Sequence, residues 1–231
     1  MVFSAVGQRG YNSAIRRSSP QAAVQGWNMT NGFDFTAAIR RLCADMIARL
    51  TPLGHIDLAK VAISFRQART ASRHGLYASV TPLRFAGGAI EAVRRGRRWR
   101  YPRLIGPDGR EWLYILSFYL PRFLDLSFRE KLETIVHELW HIGPNCDGDL
   151  RRHQGRCYAH GHSQQSYDAQ LKPLIDHYLQ SAAPAELYDF LHDNFAALVK
   201  RHGRVFGQRF RVPKLHAVEP APHNKSQNRL F

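Results

Sequence analysis

His137, Glu138 and His141 stand within the stretch HELWH. Two imidazoles four residues apart lie one turn apart on one face of a helix, which is the separation two ligands of a single metal ion need. Glu138 falls on the edge of that face, where a carboxylate reaches a metal-bound water without ligating the metal. Such an ion lowers the water's pKa from about 16 towards 7, so hydroxide becomes available at neutral pH. The carboxylate then acts as general base on that water and delivers the proton to a leaving amine. Three further histidines follow in the loop 143–162, and each is a candidate third ligand. His160 heads the set; it lies seven residues before Tyr167, near the face expected to pack on the active helix. The alternatives are His162, directly before Ser163, and His153, in the polar part of the loop. Asp147 and Asp149 in CDGD either orient an imidazole or serve a turn. Tyr158 and Tyr167 either donate to an oxyanion or belong to the core.

The helix that must carry HELWH is written plainly. In SFREKLETIVHELWHIGP, Ser127 and Glu130 have capping-box spacing. Leu132, Ile135, Val136 and Leu139 form the apolar stripe. Gly143 suits a left-handed closing position and Pro144 prevents continuation, which predicts a helix over about 128–142. EWLYILSFYL before it reads as a strand. DLAKVAISFRQ and LYASVTPLRF read as two strands able to pair as a hairpin. A helix from Phe33 uses Phe35, Ile39, Leu42, Met46, Ile47 and Leu50, and ends at Pro52 and Gly54. After the loop, one helix starts near Ser163 with Tyr167, Leu171, Leu174, Ile175 and Tyr178 inward, and another spans about Ala185 to Arg201. The expected organisation is a flexible arm over 1–30, one domain over 31–202, and a basic strand and tail over 203–231.

With 231 residues, 44% of them apolar or aromatic, the chain can bury a substantial core. No apolar run approaches 18 residues, so no membrane span is expected. The apolar stretch near the N-terminus is short and broken by Gly7, Gln8 and Arg9, unlike a secretory signal. Cys43, Cys146 and Cys157 form no CxxC pair and suit reduced thiols, with a cytoplasmic location expected. A net charge of +15 attracts polyanions. Arg94, Arg95, Arg97, Arg98 and Arg100, with Trp99 and Tyr101 among them, suit phosphate contact with some base stacking, or else a solvated loop.

A strand, a helix bearing HELWH, a Gly-containing loop with further histidines and then an amphipathic helix resemble the zincin-type metallopeptidases, most closely the SprT-like group of bacteria and phages. The likeness covers about residues 111–180. It implies an α+β zincin-like fold, with a small mixed or antiparallel sheet packed against the active-site helix and two further helices after it. It also implies one zinc ion per chain, held by His137, His141 and a downstream histidine, and hydrolysis of peptide bonds through a Glu138-activated water. His160–Gly161 resembles the His-Gly before the last helix of that group. The strand before the active helix would be a sheet edge on which an extended protein or peptide substrate docks; a buried core strand fits the residues equally. The chain lacks the C-terminal cysteine ribbon of SprT itself and the metzincin pattern. The alternative function is a nucleic-acid-associated binding protein with a structural metal site; a metal-dependent hydrolase acting on a non-peptide amide is a third.

Overall fold

The computed structural model describes residues 32–68, 75–152 and 164–218, with the backbone alone over 164–170. The expected arm over 1–30 lies outside them. In chain order the elements are β1 (Phe33–Asp34), α1 (Phe35–Arg49), β2 (Val61–Gln67), β3 (Ala78–Pro82), β4 (Glu91–Arg94), β5 (Arg97–Arg100), β6 (Leu104–Ile105), β7 (Glu111–Trp112), β8 (Tyr114–Leu120), α2 (Phe128–Trp140), α3 (Gln164–Gln180), α4 (Phe195–His202), β9 (Val205–Phe206) and β10 (His216–Ala217). The fold is mixed α+β, with four helices and several small sheets among the described residues.

The central sheet has the order β2–β8–β3. β2 runs parallel to β8, with Val61 opposite Tyr114, and β3 runs antiparallel to it, with Val80 opposite Leu116. The expected hairpin of β2 with β3 is therefore corrected: both pair with β8, which lies between them. The apolar character of β8 explains the insertion, because a strand covered on both faces reads as a continuous apolar run. Five of its seven residues, Tyr114 to Phe118, are buried in succession. Side chains alternate between two cores. Val61, Ile63, Tyr114, Leu116 and Phe118 face the helices, while Ala62 and Ile115 join Leu83 and Trp112 on the other side.

Helix α1 begins where the Asp34 carboxylate accepts from Ala37 N–H, and it buries Phe35, Ile39, Leu42 and Met46. Helix α2 has the predicted capping box: Ser127 Oγ accepts from Glu130 N–H and the Glu130 carboxylate accepts from Ser127 N–H. Its stripe of Leu132, Ile135, Val136 and Leu139 is fully buried. Helix α3 starts at Gln164 and buries Leu171, Ile175 and Tyr178. The single helix expected over 185–201 is replaced by two 3₁₀ turns, Ala185–Leu187 and Asp189–His192, followed by α4. Asp193 is extended there, and Asn194 starts a new helix by accepting from Ala197 N–H, so the chain cannot continue through.

The basic segment after residue 203, expected as one strand, forms two short ones. β9 pairs with β1, and β10 pairs with β5. Between them the chain lies along the outer side of β2: Phe65 N–H donates to Gln208 O, and Phe210 N–H donates to Ser64 Oγ. Phe210 meets the Trp112 ring edge-on at 4.7 Å.

Candidate metal centre

Helix α2 presents His137 and His141 as its spacing requires. The two Nε2 atoms stand 2.9 Å apart, and the rings are nearly perpendicular at 81°. Both imidazoles therefore point at the same small volume rather than out along the helix.

His141 is fixed by more than the helix. It is the C-cap residue, and its carbonyl accepts from Arg151 N–H at 2.8 Å as the following loop doubles back. Ile142 and Leu150 form an antiparallel bridge, and Gly143 N–H donates to Asp149 O. Gly143 does not take the left-handed position expected of it. It permits close approach instead, since a Cβ there would come within 2.6 Å of the Asp149 carbonyl oxygen. The returning loop is anchored to the sheet by Tyr114, whose hydroxyl donates to Asp149 O and accepts from Gly148 N–H. Arg151 caps the helix end from outside, with its guanidinium over the Trp140 ring and its Nε donating to Trp140 O.

Glu138 faces the sheet. Its Oε2 accepts from Val80 N–H at 2.8 Å. That amide belongs to β3, one of the two end strands of the central sheet. Burial lifts the Glu138 carboxyl to about 7, and the Val80 hydrogen bond pulls in the opposite direction. Of the two readings open for β8, sheet edge or buried core strand, the structure has the second: β8 is the buried middle strand, and β3 is the edge beside α2.

A groove of about 540 Å³ runs between β3 and α2. His137, Glu138 and His141 all line it, with Ser79 and Val80 on the strand side and Leu171 on the α3 side. Two imidazole nitrogens converging at the wall of a groove, with a buried carboxyl beside them, suit a divalent ion of zinc's ligand preference. Nitrogens about 2.0–2.1 Å from one tetrahedral ion lie about 3.3 Å apart, so the rings need open only slightly to hold it.

Among the described residues no third histidine, cysteine or carboxylate completes a metal-holding group with this pair. His153, His160 and His162 all fall outside the described residues, as do Tyr158, Cys157 and the Tyr167 side chain. Asp147 and Asp149 serve the turn. Asp147 accepts from Asp149 N–H, and Asp149 accepts from Gly87 N–H, Leu150 N–H and the Arg152 guanidinium. Arg94, Arg95, Arg97, Arg98 and Arg100 sit on and between β4 and β5 and do not line the groove.

Two residues important to the site went unnoticed in the sequence. Val80 matters through its backbone amide, and only the register of β3 on β8 places it opposite Glu138. Tyr114 read as one more aromatic of an apolar strand, although its polar end ties down the loop behind His141. No protein-family model, curated protein or solved structure matches the chain. Among the described residues no helix is long and apolar enough to cross a membrane.

Proposed function

We propose that this chain is a zinc-dependent metallopeptidase of the zincin-like kind, with His137 and His141 as two ligands and a histidine of the 153–162 loop as the third. The observation that carries the reading is the convergence of the two Nε2 atoms at 2.9 Å in the wall of a groove, beside a buried carboxyl. Zinc, when bound, acidifies a water ligand and polarises the scissile carbonyl. Glu138 takes a proton from the attacking water. It returns that proton to the amine nitrogen as the C–N bond breaks. Its place in the groove wall beside the two imidazoles suits both halves of that task.

The substrate lies along β3. Val80 N–H faces away from β8, so the same side of the strand presents the Ala78 backbone to the groove. An extended peptide pairing there passes its carbonyls in front of the histidines. This role was expected of β8, and it moves one strand outward.

The test is metal content together with cleavage. Purified protein should carry about one zinc per chain and cleave an unfolded protein substrate. Glu138→Gln should keep the metal and lose cleavage by about a hundred-fold or more. His137→Ala and His141→Ala should lose both. Among His153→Ala, His160→Ala and His162→Ala, one should release the metal. A protein that binds zinc tightly but cleaves nothing, with Glu138→Gln indistinguishable from wild type, would make the site structural.

A further inference from the structure

The arginine-rich stretch is not a loop. β4 and β5 form a hairpin whose turn, Arg95–Gly96, has both residues at positive φ, 52° and 72°. β10 adds a third strand against β5. Pleating divides the arginines between two faces, and the faces are treated differently. On one, Glu91 pairs with both Arg98 and Arg100, so the chain offsets part of its own charge. On the other, Arg94 lies directly opposite Arg97, and Arg95 projects at the tip. Like charges placed opposite one another destabilise a hairpin. Among the described residues no carboxylate pairs with Arg94, Arg95 or Arg97, and all three are exposed.

Trp99 shares that uncompensated face. It lies in the middle strand, with Ala92 opposite it on β4 and Ala217 opposite it on β10. Two alanines flanking an indole leave it without tall neighbours across the sheet. Its Nε1 donates to Arg94 O, which places the ring beside the arginine row, and it packs against neither core of the molecule. Arg94 lies over the Phe85 ring at 5.2 Å, and none of the three guanidinium groups has a carboxylate partner among the described residues. A half-buried indole beside them combines an aromatic platform with phosphate-binding cations.

We propose that this face of the β4–β5–β10 sheet binds single-stranded nucleic acid, with Arg94, Arg95 and Arg97 on the phosphates and Trp99 stacked on a base. Arg98 and Arg100 take no direct part. The site stands independently of the metal centre.

The test is fluorescence anisotropy of the full chain with labelled single-stranded oligonucleotides, DNA and RNA in separate arms, across a salt series. Duplex DNA and anionic phospholipid vesicles serve as comparisons. Arg94→Gln/Arg97→Gln should weaken binding and flatten the log–log salt slope by about 1.4. Trp99→Ala should weaken it about ten-fold or more at an unchanged slope, and Trp99→Phe should recover most of the loss. Arg98→Gln/Arg100→Gln should change affinity far less. Should Trp99→Ala fail to fold, quenching of tryptophan emission on binding, present in wild type and lost in Trp99→Phe, supplies the same readout. The proposal is overturned by no binding in the wild type, by equal losses from the two arginine pairs, or by indifference to Trp99. Equally tight, Trp99-dependent binding of duplex or vesicles would also overturn it.

Discussion

Glu138 makes the sharpest residue-scale prediction. Its carboxyl is pushed up to about 7 by burial, so without metal the folded chain holds a proton that the unfolded chain releases at lower pH. The stabilising contribution is complete below the ordinary carboxylate range and is lost as pH rises through about 7. Each pH unit between the two values is worth about 1.4 kcal/mol, which sets a ceiling of about 3 kcal/mol. In chelator-stripped protein, Glu138→Gln should therefore match wild type at about pH 4 and exceed its stability at about pH 8, as read by urea unfolding. The Gln carbonyl can still accept from Val80 N–H. A difference that does not change with pH would mean that the carboxylate is solvated. Lys131 poses a complementary case. It is buried on α2, and its ammonium donates to Leu191 O and Asp193 O at 2.8 Å each. Lys131→Met leaves two carbonyls without that donor and should cost about 2–4 kcal/mol in thermal or chemical melts.

At the scale of elements, α2 was legible because everything that specifies it is local. Capping box, stripe and paired histidines lie within one short run, and helical geometry converts their spacing into position without help from the rest of the chain. The sheet was not legible in this way. β2 and β3 carry the right residues for strands, yet neither contains a sign that β8 will enter between them; that depends on which strand is apolar enough to be covered on both sides. Val80 and Tyr114 went unnoticed for the same reason, since their roles exist only in the register. The 185–201 segment misled through periodicity: its apolar residues recur at helical spacing, while Asp193 and Asn194 end one piece and begin another. Tyr114→Phe tests the link between sheet and loop. Loss of its hydroxyl removes the donor to Asp149 O and the acceptor of Gly148 N–H. It should lower stability by about 1–3 kcal/mol and loosen metal retention at His141, measured by competition with a chromogenic chelator. Unchanged retention would show that the helix alone holds the ring.

Across the whole molecule, the two edges of the central sheet have different fates. The β3 edge faces the groove, while the β2 side is covered by the chain between β9 and β10. Uncovering β2 would expose a long apolar strand that templates pairing with other copies. Deletion of residues 205–218 should therefore promote self-association visible by light scattering. Phe210→Ala, which removes the ring resting on Trp112, should give a milder form, with a loss of about 1–3 kcal/mol. If the truncated chain stays monomeric and stable, the cover is dispensable.

That cover is also among the last described parts of the chain to leave the ribosome. Val61 must wait for Tyr114 before its parallel partner exists, and Phe65 must wait for Gln208 before its outer amide is met. Pairings so distant in sequence close slowly. During synthesis, then, the outer side of β2 stays bare until Gln208 has emerged, long after β8 has closed on its other side.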